Sequence, residues 1–482
     1  MTFIEREHQA GTDAAAIAKL RYIFALQKQS FLDNPMPSLQ QRLELLGALA
    51  NMMLVNRQKI QEAIAADFSS HPRQFSDLVE CLGVAGRAQY VAERLAGWMQ
   101  AQERSADAAL YGTGRACVLA QPKGVVGNMA PWNFPFDIGI GPAVEMLAAG
   151  NRVIIKPSDL TPACSELTLE MISSTFDPAQ VAAVAGGLEL AKFFPTLEWD
   201  HLMYTGSTEV GRSIAVAAAQ NLVPVTLELG GKCPALIAED GLSARTIEQV
   251  IGCKTIKNGQ MCVTVDYALV PHAQRDQFVA LAREHMATYL PDYTQRQDTT
   301  GIINQRHLQR LQSYLDDATA KGATLVQLGG ELDEHSRCMP LTLVLDARDD
   351  MLLMQHEIFG PILPVKTYGD IAEAVDYINA GERPLGIYVF TETPAIAEQV
   401  LARTVSGGAC VNSAALHAAM PCLPFGGIGK SGSGRHHGHE GFLEFSNLRS
   451  IFYRGENDLV AVMFAPYGEL ADAVIAAALG QA

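Results

Sequence analysis

The sequence predicts an α/β protein built from two doubly wound parallel-sheet domains. From about residue 115 onward, short β-rich runs alternate with helical segments, which is the pattern of βαβ units in a parallel sheet. The alternation starts again after Gly230-Gly231, which we interpret as a hinge between the two domains. The chain has 482 residues, of which 48% are hydrophobic and 18% charged, and this composition is typical of about two to four globular domains.

The individual elements follow from hydrophobic spacing. Between residues 14 and 104, apolar residues recur at helical intervals and glycine is scarce, so this region is predicted to be mostly helical. The segment 424–441 is rich in glycine and is expected to form a shaped loop. Strands of the first domain are predicted at 124–129, 152–156, 181–185, 202–204 and 225–229. Strands of the second domain are predicted at 235–238, 267–270, 341–345, 362–368, 386–390 and 408–411.

Charge and cysteine content exclude several classes of function. The formal net charge is −16, so nucleic acid and anionic membranes are not expected partners. No uncharged apolar run reaches the ~18 residues of a membrane-spanning helix. Nine cysteines without a C-x-x-C pair indicate reduced thiols. The first ten residues carry charges and no apolar core of a signal peptide, and we therefore expect a cytoplasmic protein.

Two segments that follow predicted strands could bind a nucleotide. The sequence has no G-x-G-x-x-G motif, but Gly206 and Ser207 open a predicted helix, and a helix N-terminus favours an anion such as a diphosphate. Lys156 and Asp159 follow another strand, at the sheet edge where such folds bind ligands. The alternative for Ser207 is a helix N-cap, and for Lys156 and Asp159 a solvated lysine and a cap.

Three further residues could carry covalent chemistry. Asn133 lies between aromatic residues and prolines, where a fixed amide could stabilise an oxyanion; alternatively it caps a helix. Cys262 follows a glycine on a polar loop and could be a nucleophile if Lys254 and Lys257 provide a positive field; alternatively it is a buried apolar thiol. Glu228 ends an apolar strand, so burial could make it a general base.

Two other interpretations remain open at this stage. A salt bridge to Lys232 is the alternative for Glu228. His436, His437 and His439 could suggest a metal site, but no Cys or Asp completes a tetrahedral set nearby, and we expect no metal.

Taken in order, these motifs resemble the aldehyde dehydrogenase superfamily, and within it the class 3 branch and the coniferyl aldehyde dehydrogenases. The shared motifs, spread from about 122 to 450, are Pro-Trp-Asn-Phe-Pro, Lys-Pro-Ser-Asp, Tyr-Thr-Gly-Ser-Thr-Glu-Val-Gly, Leu-Glu-Leu-Gly-Gly-Lys, Gly-Gln-Met-Cys, Glu-Ile-Phe-Gly-Pro and Leu-Pro-Phe-Gly-Gly. The chain departs from the branch at a few positions: His356 replaces a Glu, Lys257 an Asn, Val265 a Pro, His436 a Tyr, and Asp159 the longer Glu.

The resemblance implies a role for each matching position. Cys262 would be the nucleophile, Asn133 an oxyanion donor, and Glu228 the residue that activates water. Cofactor-binding residues would be Lys156 and Asp159 at the adenosine ribose, Gly206 and Ser207 at the diphosphate, and Glu357 and Phe359 at the nicotinamide end.

The resemblance also implies the overall organisation and the reaction. It implies a Rossmann-like NAD-binding domain at 1–112 and 132–230, a catalytic domain at 231–415, and a small β oligomerisation arm with a C-terminal tail at 113–131 and 416–482. We expect a homodimer that oxidises an aldehyde with NAD, with NADP tolerated. The expected substrate is an aromatic enal such as coniferaldehyde. The alternative substrate is a medium-chain or long-chain aliphatic aldehyde, and the alternative reaction is acylation of coenzyme A.

Overall fold

The computed structural model describes residues 3–481, with side chains from residue 13 onward. The predicted domains include residues 1, 2 and 482, which lie outside this part. The charged side chains of the first ten residues, on which the argument against a signal peptide depends, lie outside it as well. The N-terminal region is helical, as predicted. The helices in this region are α1 (Phe3–Asp33), α2 (Leu39–Val55), α3 (Arg57–Phe68), α4 (Arg73–Phe75) and α5 (Leu82–Trp98), with a π-helical turn at Ser76–Cys81.

Local sequence explains where these helices begin. At the start of α2, the Ser38 hydroxyl accepts a hydrogen bond from the Gln41 amide at 3.2 Å, and the Gln41 side chain accepts one from the Ser38 amide at 2.8 Å. This reciprocal capping box satisfies two amide groups that the helix leaves free. The remaining helices are α6 (Ala108–Tyr111), α7 (Asp137–Ile140), α8 (Ala143–Ala148), α9 (Pro162–Thr175), α10 (Leu188–Phe193), α11 (Thr208–Ala219), α12 (Ala244–Thr255), α13 (Arg275–Tyr289), α14 (Gln305–Ala320), α15 (Leu352–Gln355), α16 (Ile371–Ala380), α17 (Pro394–Arg403), α18 (Gly438–Glu444) and α19 (Glu469–Ala478).

The strands form three sheets. In chain order they are β1 (Gln102–Arg104), β2 (Arg115–Pro122), β3 (Val125–Met129), β4 (Arg152–Lys156), β5 (Val181–Ala183), β6 (His201–Gly206), β7 (Val225–Leu229), β8 (Pro234–Ile237), β9 (Tyr267–Pro271), β10 (Thr324–Leu328), β11 (Leu341–Leu345), β12 (Ile362–Tyr368), β13 (Gly386–Phe390), β14 (Gly408–Val411), β15 (Gly432–Ser433) and β16 (Ser446–Tyr453).

The first sheet has the order β15-β7-β6-β3-β4-β5, with β15 antiparallel and the rest parallel. Helices cover both of its faces, because alternate residues of each strand point to opposite sides. On β4, Val153 and Ile155 pack with α2, α5 and α9, whereas Ile154 packs with α1, α10 and α11. This is the doubly wound arrangement that the sequence predicts.

The second sheet has the order β10-β11-β12-β9-β8-β13-β14, and β10 is its one antiparallel strand. Apolar cores lie on both faces here too. The predicted α/β class with two parallel-sheet domains is therefore confirmed. Strand β10 is an addition to the sequence-based prediction.

A third, antiparallel sheet of order β1-β2-β16 contains two segments that the prediction assigned to an arm. The predicted bounds 113–131 need correction, because β3 lies in the middle of the six-stranded sheet. The chain switches sheets at Gly124, which has a φ of +143° and no room for a Cβ beside the Asp200 carboxylate. The predicted loop 424–441 also differs, since it contains β15 and the start of α18. Among the described residues, no helix combines the length and apolar character needed to cross a bilayer.

Candidate active site

Cys262 lies on a tightly packed loop between α12 and β9. The backbone is left-handed at Gly259, where φ is +75°. A Cβ at this position would overlap the carbonyl group of Gly360, so glycine lets the Cys262 loop run directly against the loop that follows Glu357. The two loops therefore meet at the end of the seven-stranded sheet where the neighbouring parallel strands β9 and β12 begin.

The Cys262 loop is fixed by the buried side chain of Gln260. Its Nε2 donates to the Gly301 carbonyl at 3.0 Å, and its Oε1 accepts from the Ile303 amide at 2.9 Å. The Gln260 carbonyl in turn accepts a hydrogen bond from Nδ2 of Asn133 at 3.1 Å. Because an amide nitrogen has two N–H groups, Asn133 keeps a second donor beside the Cys262 loop.

The environment of the Cys262 thiol keeps it protonated. Burial raises its pKa to about 12, the carboxyl groups of Glu357 and Glu228 act in the same direction, and the amide groups of Cys262 and Val263 oppose them. A thiol with such a pKa is neutral at pH 7, so a base must take its proton before it can act as a nucleophile.

The prediction that Lys254 and Lys257 provide a positive field at Cys262 is wrong. Nζ of Lys257 pairs with the Glu80 carboxylate at 3.0 Å, with both side chains fully buried. Lys254 is also buried, its Nζ has no hydrogen-bond partner among the described residues, and burial lowers its pKa to about 8. Neither ammonium group offsets the two carboxyl groups that face Cys262.

Glu228 lies on β7 with only 2% of its surface exposed. Neither carboxylate oxygen has a hydrogen-bond partner within residues 13–481. Burial raises its pKa well above the ordinary value, Arg435 lowers it, and Glu444 raises it. A carboxylate with a raised pKa is a stronger base than an ordinary carboxylate.

The alternative salt bridge between Glu228 and Lys232 does not form. Nζ of Lys232 pairs with the buried Asp266 carboxylate and donates to the His356 carbonyl at 3.0 Å. The other oxygen of Asp266 accepts from the Ile358 amide at 2.9 Å. This ion pair, which the sequence analysis missed, therefore holds the chain on both sides of residue 357.

Glu357 is held against the predicted hinge. Its Oε1 is buried without a hydrogen-bond partner in the described chain. Burial raises the pKa of Glu357 to about 8, and Asp266 adds to the effect, while the Gly231 amide and Lys232 oppose it. An unpartnered carboxylate oxygen is a free acceptor for the hydroxyl of a ligand.

Phe359 lies near Glu357 in an aromatic group. Its backbone is left-handed, with a φ of +50°, and its carbonyl and that of Ile358 accept hydrogen bonds from Arg310, at 3.4 and 2.8 Å. The ring meets Trp132 edge to face, with centroids 5.3 Å apart. Trp132 precedes Asn133 in sequence, so the Phe359 and Asn133 loops lie side by side.

The predicted ribose contacts lie at the end of β4. Lys156 is buried, its Nζ donates to the Pro157 carbonyl at 3.2 Å, and burial lowers its pKa although Asp159 opposes this. Asp159 is exposed. Lys156 pairs in register with Met129 of β3, as Tyr204 of β6 does, so both flanking strands end at one sheet edge.

Gly206 and Ser207 follow β6 at that same edge. The Ser207 hydroxyl accepts from the Val210 amide at 3.4 Å and thus caps α11, as the alternative interpretation held. The residue is also exposed. A Cβ at Gly206 would overlap the Tyr204 hydroxyl, so a larger residue there would displace the Tyr204 side chain.

The rings of His436 and His437 pack edge to face with centroids 4.4 Å apart, whereas His439 points to other residues. Nδ1 of His436 is 3.2 Å from Nη2 of Arg87, and His439 packs on the Trp98 ring at 5.4 Å. No group of three or more His, Cys, Asp or Glu side chains within the described residues is arranged to hold a metal ion. The sequence analysis missed Arg87 and its partner Glu145, because only the fold brings them together.

Comparison with known proteins identifies the family. The sequence profile of the aldehyde dehydrogenase family matches residues 14–451. The chain belongs to the aldehyde dehydrogenase family. It is therefore an aldehyde-oxidising oxidoreductase, as the motifs predict.

The relatives of this aldehyde dehydrogenase also agree with the predicted branch. It is 41% identical to the probable coniferyl aldehyde dehydrogenase of Pseudomonas aeruginosa, over 94% of each chain. It is 35% identical to aldehyde dehydrogenase family 3 member B1 of Rattus norvegicus, over 88% of this chain and 89% of that one. The substrate-bound structure of Staphylococcus aureus AldH matches with a TM-score of 0.90 at 30% identity, over 95% of this chain and 99% of that one. The predicted similarity to class 3 and coniferyl aldehyde dehydrogenases is confirmed.

Proposed function

We propose that this enzyme oxidises an aromatic enal such as coniferaldehyde to the carboxylic acid, using a nicotinamide cofactor and a thioester on Cys262. One observation carries the proposal. The Cys262 thiol lies on a loop that is hydrogen-bonded to Asn133, and the carboxyl groups of Glu228 and Glu357 are near enough to raise the pKa of that thiol. A nucleophile, an oxyanion donor, a base and an anchor for a ligand hydroxyl are thus gathered in one place.

The first step is attack of the Cys262 sulfur on the aldehyde carbon. The thiol proton must leave first, and because the overall oxidation releases one proton, water can carry this proton to solvent. As the carbon–sulfur bond forms, the carbonyl oxygen gains negative charge. The free N–H of Asn133 and the Cys262 amide stabilise this charge in the thiohemiacetal.

The residues at the sheet edge suit a nicotinamide dinucleotide. Among the described residues, Oε1 of Glu357 has no hydrogen-bond partner and the buried Lys156 ammonium has only a backbone carbonyl as partner, and Gly206 precedes α11 without a side chain. The bound cofactor would accept the hydride that leaves the thiohemiacetal carbon. Glu357 would hold the nicotinamide ribose, Phe359 would pack near the ring, and Ser207 would meet the diphosphate.

Release of the acid completes the reaction. Glu228 takes a proton from a water molecule, whose oxygen attacks the thioester carbon. As the carbon–sulfur bond breaks, Glu228 returns this proton to the sulfur, which gives the acid and the Cys262 thiol. A carboxylate that activates water supports hydrolysis rather than transfer to coenzyme A.

The choice of NAD over NADP rests on Asp159. Its exposed carboxylate would accept hydrogen bonds from ribose hydroxyls and repel a 2′-phosphate. Because Lys156 lies beside it and Asp is shorter than Glu, the preference should be modest, with some activity with NADP.

Assembly and location complete the proposal. A homodimer is supported by β16, which is an edge strand of the three-stranded sheet and leaves its outer side unpaired among the described strands. The subunit would consist of the three predicted domains, with β3 and β15 assigned to the NAD-binding domain. The proposed location is the cytoplasm, because the free thiol of Cys262 must stay reduced.

A panel of aldehydes tests the substrate class. Coniferaldehyde, cinnamaldehyde, benzaldehyde, hexanal and dodecanal are compared by the formation of reduced cofactor, with and without coenzyme A, and products are identified by chromatography. The proposal predicts the highest kcat/KM for the aromatic enals and the free acid as product in both cases. A higher kcat/KM for dodecanal would replace it with the aliphatic alternative, and an acyl-coenzyme A product with the acylating one.

A further inference from the structure

His436 lies beside the proposed base Glu228. It is buried, with 3% exposure, and its Nε2 is 4.0 Å from Oε1 of Glu228. Neither of these two atoms has another hydrogen-bond partner within residues 13–481. Two unpartnered polar atoms that face each other in a buried site are costly unless they come together.

The contacts on the other side of the ring assign its proton. Nδ1 of His436 is 3.2 Å from Nη2 of Arg87. A guanidinium group can only donate hydrogen bonds, so Nδ1 must be the acceptor. Burial, together with Arg87, lowers the pKa of His436 well below its ordinary value, so the ring is neutral. Its single proton is therefore on Nε2, which faces Glu228.

Arg87 is held firmly enough to fix this ring. Its Nε and Nη2 donate to the two carboxylate oxygens of Glu145 at 2.8 and 2.5 Å. Glu145 also accepts a hydrogen bond from the Gly438 amide at 3.1 Å, two residues after His436. This bidentate pair is buried, and it ties α5 and α8 to the loop that carries the imidazole.

We propose that His436 is a positioning residue for Glu228, whose carboxylate accepts a hydrogen bond from Nε2–H while it activates water. A shift of about 1 Å closes the gap from 4.0 Å to hydrogen-bond distance. The inference rests on the proposed role of Glu228, and it concerns a position where the branch usually has Tyr.

The other charged groups lie farther from Glu228, since among the lysine, arginine and histidine nitrogens of residues 13–481 only Nε2 of His436 is within 4.0 Å of a Glu228 oxygen. Nη1 of Arg435 donates to the Gly427 and Gly434 carbonyls at 2.5 and 2.7 Å. Glu444 accepts from the Thr226 hydroxyl at 2.6 Å and carries a charge of the wrong sign. The Nε2–H of His436 thus remains as the side-chain donor that can orient the ionised carboxylate.

Three variants of His436 separate a hydrogen-bonding role from a packing role. In H436Q the amide nitrogen takes the place of Nε2 and keeps the donor. In H436N the shorter amide lies near the Nδ1 position and loses that donor, and H436F loses both ring nitrogens. H439F, which alters a histidine packed on Trp98, is the matched control.

The readout is the lifetime of the acyl-enzyme. Each variant is mixed with NAD and one equivalent of coniferaldehyde. Absorbance follows formation of reduced cofactor, and intact mass follows decay of the acyl group on the protein. We expect decay to slow at least 10-fold in H436F and H436N, and to stay within threefold of wild type in H436Q and H439F. In an E228Q background, H436F should slow decay no further.

Several outcomes overturn the inference. Wild-type decay in H436F or H436N, equally slow decay in H436Q, or a further multiplicative loss on top of E228Q would each show that His436 does not act through Glu228. The failure of the underlying proposal is distinguishable, because E228Q alone would then release the acid as fast as wild type.

Discussion

The Glu357 carboxylate packs directly against Gly230, where a Cβ would overlap it. The glycine lies between β7 of the six-stranded sheet, which carries Glu228, and β8 of the seven-stranded sheet. The carboxyl group proposed to hold the nicotinamide ribose is thus seated on the strand end that supplies the proposed base. A change at residue 230 should therefore affect cofactor binding before it affects folding.

Substitution of Gly230 by Ala tests this contact. We expect G230A to raise the KM for NAD about 10-fold or more, because the methyl group displaces Glu357. G252A is the matched control, since a Cβ at Gly252 in α12 meets no atom within 4 Å, and Ala in a helix is worth about 0.5–1 kcal/mol relative to Gly. Steady-state kinetics with varied NAD provide the measurement. An unchanged KM in folded G230A would show that Glu357 does not bind the cofactor.

Asn133→Ala removes the proposed oxyanion donor. We expect kcat to fall ~10²–10³-fold, the usual loss for one such donor, with a smaller change in KM. N379A is the control, because Asn379 on α16 also donates to a carbonyl, that of Arg403, but is exposed. If kcat of N133A stays within about threefold of wild type, Asn133 only fixes the Cys262 loop.

The raised pKa of Glu357 predicts a pH-dependent stability. Burial raises this pKa from 4.5 to about 8, so between these values the folded chain retains a proton that the unfolded chain has lost. Stability from this group is therefore lost as pH rises through that window. E357Q, which cannot ionise, should raise Tm relative to wild type more at pH 8 than at pH 5. Thermal unfolding measures this, with the exposed E398Q as control. A difference in Tm between E357Q and wild type that is equal at both pH values would contradict the burial of an ionisable Glu357.

Asp159→Ser should narrow the preference for NAD. Repulsion between a carboxylate and a 2′-phosphate across ~4–6 Å is worth about 10–100-fold in affinity. We expect D159S to raise kcat/KM for NADP, whereas E166Q, an exposed acid on α9, should leave the ratio unchanged. Equal or better wild-type efficiency with NADP would overturn this role of Asp159.

Much of the fold could be predicted because buried strands have a plain local signature. β4 and β12 are apolar runs, and their predicted bounds match the structure. β10 was missed because it is an antiparallel edge strand with three of its five residues exposed, which leaves little hydrophobic pattern. β15 was missed because two residues in a glycine-rich segment carry no strand signal.

The residues that support the site could not be predicted in the same way. Cys262, Glu228 and Asn133 belong to motifs that can be recognised locally. The Arg87–Glu145 pair joins residues 58 positions apart, and nothing in either helix indicates the partner. Lys254 is buried, and its Nζ has no hydrogen-bond partner among the described residues. The error about Lys257 has the same cause as the missed Arg87–Glu145 pair. A lysine near a cysteine in sequence points elsewhere when a buried carboxylate such as Glu80 lies closer in the fold.

The central claim is that the aldehyde is oxidised on Cys262 and released by water that Glu228 activates. Peptide mass spectrometry of E228Q, mixed with coniferaldehyde and NAD and quenched in acid, tests it most directly. The account predicts one acyl group per chain, on the peptide that contains Cys262, and none in C262A, which should lose turnover but still bind NAD. Turnover of C262A above about one per cent of wild type, or an acyl group on another residue, would contradict it.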